Sequence, residues 1–317
     1  MIEKVKNNIF IAIAFSALLY LSLSLYANIN DVIIAIKQFR WIYIILLFGL
    51  SYLTFFTRFL KWEYYLRLLD IKISKSDSYQ IFMSSLIMSV TPGKVGDLIK
   101  SYMVKKRYDI PVSQTAPIIF AERITEFISL LIIALAGIYF YEDAKLTVIL
   151  LLALILFAVT LIFSNKKSSD YLLLKVTNYR MINKHIENIS VVLENSRQML
   201  QPSPLIKMIL LSLISWIFEG FGFYLILVQF GIAVSVDWSF FIYTFSIIMG
   251  SISMIPGGLG VTEGSITYLL IESGATRNIA VAVALIFRIA TLWFAVLIGI
   301  VSLSLYQKRF GQIKINN

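Results

Sequence analysis

The sequence contains no cysteine and a single histidine, His185. Without cysteine the chain forms no disulfide, no thiolate metal site and no cysteine nucleophile. The histidine lies in a polar, basic stretch, and one imidazole without any thiolate does not supply the usual ligand set of zinc or haem. We therefore expect no metal and no cofactor.

Charged residues are also scarce, at 15% of 317 residues, while 59% are hydrophobic and the mean hydropathy is +0.82. Several apolar runs reach or approach the roughly 20 residues that cross a bilayer. This composition predicts an all-α polytopic membrane protein with about six full transmembrane helices. The clearest runs are 9–27, 41–60, 146–163, 205–230 and 279–305, and the run 117–141 is long enough but carries charges.

A motif appears twice in the chain. The segment 89–97, SVTPGKVGD, recurs at 253–263 as SMIPGGLGVTE. An arginine in an apolar run follows each copy, and the separation from Pro92 to Arg123 matches that from Pro256 to Arg288 to within one position. Duplicated breaks followed by duplicated buried cations are typical of two half-sites that meet at one cavity.

Each Pro-Gly break predicts a re-entrant helical hairpin. The apolar stretch 79–91 falls well short of the roughly 20 residues that cross a bilayer. The stretch 240–255 enters its own break similarly. Proline removes a backbone donor, glycine permits a turn, and non-helical backbone at membrane depth requires surrounding protein or a cavity. This first arm of the second copy could also form a full span, so six to eight spans stay open. The break residues are Pro92, Gly93, Gly96, Pro256, Gly257, Gly258 and Gly260.

The similarity extends upstream and predicts an inverted repeat. Residues 66–74 parallel 227–235, and the same register places Arg58 opposite Glu219. Three full spans separate the two starts, so the hairpins are expected to enter from opposite faces and meet near the midplane. We predict one integral membrane domain, 1–317. Its parts are an N-terminal anchor helix at 1–40, repeat 1 at 41–164, a cytoplasmic amphipathic linker at 165–204 and repeat 2 at 205–317.

The distribution of the net charge of +10 predicts the topology. With both termini in the cytoplasm, the inner segments hold 20 Lys and Arg and the outer segments hold 4. We expect a multi-pass protein of the cell membrane whose basic fringe attracts anionic lipids. The basic loops are too short and scattered for nucleic acid. The aromatic residues expected at the membrane interface are Trp41, Tyr43, Trp62, Tyr64 and Tyr65.

Charges at membrane depth mark the candidate site. Glu126 lies nine residues beyond Pro117, about 14 Å along a helix, and a charge there costs several kcal/mol unless it has a partner. The alternative is that this run begins at headgroup level and its charges reach water. Arg288 must pair with a carboxylate or with a ligand anion, and its fork suits phosphate. A plain ion pair between helices is the alternative. Candidate partners of Arg288 are Glu219, Glu263 and Glu126.

The two motifs resemble a known family. The chain contains, in this order, TPGKVGDLIKSY, AERITE, SMIPGGLGVTEGS and a lone arginine in the last span. This pattern resembles the lysylphosphatidylglycerol synthase transmembrane region, a flippase-like domain also found in the bacterial multiple peptide resistance factor. The resemblance implies movement of aminoacylated phosphatidylglycerol between leaflets, and relatives are linked to polyprenyl-phosphate sugar pathways. The family's synthase activity resides in a soluble carboxy-terminal domain. We expect none here, and therefore no enzyme.

The leading hypothesis is a flippase-like transporter of an anionic or phosphate-bearing lipid. The alternatives are a membrane-embedded accessory or enzyme of lipid aminoacylation or lipid-linked glycosylation, and a structural scaffold. A separate glycosyltransferase or aminoacyltransferase is a candidate partner, and a homodimer stays open. The predicted headgroup ligands are Arg123, Arg288, Lys94 and Lys100. The predicted supporting ion network is Glu122, Glu126, Glu263, Glu219, Asp97 and Arg58.

Overall fold

The computed structural model describes residues 2–91, 96–138 and 186–311, together with positions 150, 154 and 160. The described residues are all-helical, with no β-strand among them. The α-helices are α1 (Ile2–Tyr26), α2 (Ile29–Gln38), α3 (Tyr43–Leu68), α4 (Lys75–Ser85), α5 (Ile99–Tyr108), α6 (Val112–Ile138), α7 (Ile186–Met199), α8 (Pro202–Gln229), α9 (Val236–Ile252), α10 (Val261–Glu272), α11 (Arg277–Arg288) and α12 (Phe294–Phe310).

Three stretches of the described chain are long and apolar enough to cross a bilayer: α3, α8, and α11 continued through α12. Helices α1 and α2 reach this length together but bend by 100° between Tyr26 and Ile29. The predicted anchor is therefore two helices. The bend coincides with Asn28, which has a φ of 63° and accepts a hydrogen bond from the backbone of Asn30 at the start of α2. The predicted span 146–163 lies almost entirely outside the described residues.

Helix α3 extends further than its apolar run predicts. It continues to Leu68, and Lys61, the first residue after the apolar run 41–60, is a fully buried helical residue. Trp62 and Tyr65 are likewise fully buried rather than at the membrane interface. These polar and aromatic side chains pack inside the protein because α3 is surrounded by α4, α6 and α8.

The described part of the linker, α7, packs along α6. Ser113 donates to the Asn188 side chain at 3.0 Å, and Asn195 donates to the Gln114 carbonyl at 3.1 Å. The rest of the linker, from 165 to 185, lies outside the described residues. The next helix, α8, begins at Pro202, slightly before the predicted start of repeat 2.

The first break follows a short 3-10 helix, Leu86–Val90. Thr91 ends it by donating to the Met88 carbonyl at 2.7 Å and accepting from the Gly96 backbone N–H at 3.0 Å. A Cβ on Gly96 would lie 2.6 Å from the Thr91 oxygen, so this close return requires glycine. Pro92, Gly93 and Lys94 lie outside the described residues.

The second break separates α9 from α10. Pro256–Gly258 form a single 3-10 turn, in which Gly257 and Gly258 have φ values of 62° and 64°. Side-chain-bearing residues rarely adopt this conformation, so the two glycines permit the turn. The arms then fold back on each other, since Gly250 of α9 lies against Thr262 of α10. The predicted hairpin is therefore present at this break.

Helices at matching positions of the two halves pack reciprocally. Leu47 lies beside Gly222, the Thr54 hydroxyl donates to the Ser215 carbonyl at 3.0 Å, and α3 and α8 therefore run antiparallel. Helix α4 packs against α12, and its counterpart α9 packs against α6. The two breaks also meet, because a Cβ on Gly257 would lie 3.6 Å from the Cα atom of Val90. Each hairpin is thus held by a long helix of the opposite half.

A surface cluster joins α4, α5 and α12. Asp77, in the first turn of α4, accepts from the Tyr108 hydroxyl at 2.7 Å and lies 3.6 Å from Arg309 and 3.5 Å from Arg107. Burial raises the pKa of the Asp77 carboxyl, but the hydrogen bonds from Tyr108 and Ser74 and the two arginines outweigh it and hold the pKa below its usual value. The carboxylate thus fixes the end of the last helix.

Candidate functional site

A cavity of about 390 Å³ lies where the two breaks meet. Its walls come from both halves, with Ser89 and Thr91 from the first break and Ile255, Gly257 and Gly258 from the second. Among the described residues, the charged side chains that line it are Arg58, Arg123, Glu219 and Arg288. The cavity therefore brings together the duplicated arginines and the Arg58–Glu219 pair that the repeat register places opposite each other.

Arg123 connects the first hairpin to α6. Its guanidinium lies 3.0 Å from Asp97, at the start of the outgoing arm, and 2.8 Å from Glu126, one helical turn along α6. Of the three arginines that line the cavity, Arg123 is the most exposed. The exposed fraction of the side chain is 23% for Arg123, 13% for Arg58 and 5% for Arg288. It is held on two sides and remains accessible from the cavity.

Arg288 has the same position in the second half and is more deeply enclosed. Its Nε atom lies 2.8 Å from Glu263, and its Nη2 atom donates to the Gly257 carbonyl in the turn. The Glu263 carboxylate, with no exposed surface, also accepts from the Gly260 backbone N–H at 2.8 Å. Of the carboxylates that the sequence offers as partners, Glu263 is the one in contact. A π-helical turn, Ile289–Trp293, follows Arg288 directly.

Lys100 and Glu122 form a buried pair away from the cavity wall. The Lys100 ammonium lies 2.6 Å from Glu122 and over the rings of Trp62 and Phe82, at 4.8 and 5.0 Å. Lys100 is only 2% exposed and is not among the residues that line the cavity. The structure therefore gives this predicted headgroup ligand a protein partner. Glu122, predicted to support the arginines, pairs with the lysine instead.

Arg58 lies in α3 with its guanidinium 4.4 Å from the centre of the Trp216 ring. It is 3.8 Å from Glu126 and 3.9 Å from Glu219, so the two halves share this cation. Glu219 also accepts a hydrogen bond from the Tyr243 hydroxyl at 2.9 Å. Both carboxylates therefore keep another interaction besides Arg58.

Sequence reasoning misses two contributors to the site. Lys61 donates to Thr125 at 3.0 Å and Ser212 at 2.6 Å, and lies 3.9 Å from Glu126. Its position one helical turn after Arg58, on a neighbouring part of the same helical surface, is the available signal. Tyr20 donates to Glu263 at 3.3 Å from a helix distant in the chain, and no local pattern indicates that contact.

The arrangement suits an oxyanion better than a metal or a nucleophilic reaction. No group of three or more acidic, histidine or cysteine side chains that could hold a metal occurs in the described ranges. The carboxylates near the cavity are engaged by arginine, lysine or tyrosine. Three guanidinium groups line this one cavity, and each is planar with several N–H donors. Phosphate and carboxylate oxygens accept hydrogen bonds from such donors.

The fold and the cavity together define a polytopic α-helical membrane protein with two interrupted helices enclosing an arginine-lined cavity. The chain belongs to the family of the lysylphosphatidylglycerol synthase transmembrane region, which it matches over residues 9–299. The protein is therefore a membrane domain of this lipid-related family.

Its curated relatives are membrane proteins from archaea. A UPF0104 membrane protein of Methanocaldococcus jannaschii is 25% identical over 219 residues, which cover 67% of this chain and 91% of the relative. A UPF0104 membrane protein match from Methanothermobacter thermautotrophicus is 32% identical over 97 residues, which cover 31% of this chain and 29% of the relative. Another match from the same organism is 20% identical over 293 residues, which cover 85% of this chain and 87% of the relative. These names describe a location and no activity.

Proposed function

We propose that this protein moves a phosphate-bearing lipid, of the aminoacyl-phosphatidylglycerol or polyprenyl-phosphate class, between the two leaflets of the cell membrane. The single observation that carries the proposal is the cavity at the meeting point of the two breaks. It combines backbone from both hairpins with Arg58, Arg123 and Arg288 in a membrane protein of a lipid-related family.

In this mechanism the headgroup enters the cavity while the acyl chains stay in the bilayer. Arg123 is the first contact for the phosphate, since it lines the cavity with 23% of its side chain exposed and Asp97 and Glu126 fix its fork. Arg288 holds the second turn in place through Glu263 and the Gly257 carbonyl. A headgroup amine would be bound by a carboxylate such as Glu219.

Alternating access would come from movement of one repeat against the other. The reciprocal packing of α4 on α12 and of α9 on α6 supports an inverted repeat with two equivalent arrangements. We further propose that both termini face the cytoplasm, that the protein is not itself an enzyme, and that the lipid gradient, an ion gradient or the membrane potential drives transport. A lipid can shift the populations of the two arrangements only if its binding free energy differs between them.

The test is transbilayer movement of fluorescent phosphatidylglycerol and a polyprenyl phosphate in proteoliposomes, read by chemical quenching of the outer leaflet. We expect movement by wild type, its loss in Arg123→Ala, and wild-type movement in Arg67→Ala. Arg67 is the matched control because it lies on α3 with 68% of its side chain exposed. Folded wild-type protein that moves none of these lipids would overturn the proposal.

A second candidate is an accessory subunit of lipid aminoacylation, favoured by the family's description as the membrane region of a synthase. In that case the chain would present lipid to a separate aminoacyltransferase without moving it between leaflets. Stimulation of such an enzyme in vesicles, together with no change in lipid sidedness, would favour this role over transport.

A further inference from the structure

Arg58 is a cation with 13% of its side chain exposed and with incomplete protein contacts. Its Nε and Nη2 atoms are buried and have no hydrogen-bond partner among the described residues. The nearest carboxylates, Glu126 and Glu219, lie at 3.8 and 3.9 Å, beyond the roughly 2.7–3.2 Å of N–H to oxygen hydrogen bonds. Buried donors are satisfied in the great majority of cases, and an unsatisfied one needs a physical reason.

The surroundings of Arg58 hold its guanidinium at the cavity wall. Trp216 covers one face of the guanidinium at 4.4 Å and so fixes its plane, and both residues line the cavity. Arg123 has a buried Nε atom that also lacks a hydrogen-bond partner in the described part of the chain. Both arginines contact the same Glu126 carboxylate, through Oε1 for Arg58 and Oε2 for Arg123. The unsatisfied donors therefore lie close to one another.

We propose that Arg58 is a phosphate-binding residue of this cavity, together with Arg123, and that Glu219 occupies its anion position until a phosphate displaces it. This inference rests on the proposed function for the identity of the lipid. It deepens that function by assigning the second guanidinium to Arg58, whose nearest carboxylates lie 3.8 and 3.9 Å away. Arg288 is not assigned this role, because it lies 2.8 Å from Glu263 and donates to the Gly257 carbonyl.

The chemistry of the site favours a phosphate ester. The oxygens of a tetrahedral phosphate can accept hydrogen bonds from two guanidinium groups at once. The Glu219 carboxylate is planar and lies 3.9 Å from the Arg58 Nη2 atom, so it does not satisfy the donors in this way. The cavity volume of about 390 Å³ suits a headgroup rather than a whole lipid. Glu219 can leave Arg58 without becoming an isolated charge, since the Tyr243 hydroxyl keeps its hydrogen bond to the other carboxylate oxygen.

The exchange predicts opposite effects of two substitutions. Arg58→Gln removes the charged donors, so we expect binding of an anionic headgroup to weaken about ten-fold or more. Glu219→Gln removes the competing charge but retains an acceptor for Tyr243, so we expect binding to tighten several-fold. If Arg58 and Glu219 were only a structural pair, both substitutions would act in the same direction.

The experiment is calorimetric titration of the full chain in detergent with dihexanoyl phosphatidylglycerol and, in a parallel arm, with inorganic phosphate. Arg67→Gln is the control, on the same helix and outside the cavity. Melting temperatures of all variants report folding, and Arg58→Lys, which keeps the charge but loses the fork, replaces Arg58→Gln if the latter does not fold.

The two arms separate the inference from the transport function. Lipid binding that weakens in Arg58→Gln and tightens in Glu219→Gln supports both. Binding of inorganic phosphate alone with the same pattern supports the phosphate site but removes the lipid function. Lipid binding unchanged by Arg58→Gln, or weakened by Glu219→Gln, overturns the inference while the transport function stands. No binding in either arm overturns both.

Discussion

The pair formed by Lys100 and Glu122 allows a quantitative test of how buried charges are held in this protein. The two side chains belong to residues that are 2% and 3% exposed, and their charged atoms are 2.6 Å apart. Glu122→Gln would leave the ammonium of Lys100 buried without its counter-charge. Removing one partner of a buried pair typically costs about 3–5 kcal/mol, because desolvation of the remaining charge is no longer offset.

The rings of Trp62 and Phe82 reduce this cost, since both remain over the ammonium at 4.8 and 5.0 Å after the substitution. A desolvated cation–π contact contributes up to about 2 kcal/mol, so we expect a loss near the lower end, about 3 kcal/mol. For a chain of this size about 1 kcal/mol corresponds to roughly 2 °C, so the melting temperature should fall by about 6 °C.

The assay is thermal unfolding in detergent of Glu122→Gln, Lys100→Met and the double variant Lys100→Met/Glu122→Gln. We expect the double variant to be more stable than either single one, because it buries no charge. Glu194→Gln is the control, since its ion pair with Arg197 is at the surface and the Glu194 side chain is 61% exposed. A double variant that loses the sum of the single effects would refute the reasoning.

Three further predictions concern packing, acid stability and the first break. Gly299→Ala should lower the melting temperature by several degrees, since a Cβ there would lie 2.1 Å from the Ile87 backbone nitrogen. Asp77→Asn should destabilise the protein at neutral pH, and because the folded-state pKa of Asp77 is depressed, the difference from wild type should begin to shrink below about pH 4 and disappear only below the folded-state pKa. Thr91→Val should cost about 1–2 kcal/mol in unfolding measurements, because it removes two hydrogen bonds at the end of the 3-10 helix, and Thr91→Ser should restore most of the loss.

Much of the fold could be predicted from the composition and from the proline and glycine residues that interrupt helices. The apolar runs predict an all-α polytopic protein, and the glycines after Pro256 predict the interruption that the structure contains. The C-terminal limit of α3 could not be predicted, because the apolar run 41–60 ends where Lys61 begins a more polar stretch. Lys61 continues the helix since its ammonium finds Thr125, Ser212 and Glu126 on neighbouring helices.

The pairing of charged side chains at the site likewise depends on the three-dimensional packing of the helices. Helical spacing places Glu122 and Glu126 on one face of α6, and nothing in that spacing separates their roles. In the structure Glu126 reaches Arg123, while Glu122 meets Lys100 because α5 crosses α6 there. The sequence indicates which residues are charged at depth, but the choice of partner belongs to the packing of helices that are distant in the chain.

The reciprocal packing of the halves has a consequence for biosynthesis. The first hairpin is sealed by α12, where Ser84 bonds Ser302 and Gly299 closes on Ile87. On a growing chain the N-terminal hairpin is translated long before this helix emerges from the ribosome. The first break must therefore await insertion of α12, and the cavity can form only after that helix is in place.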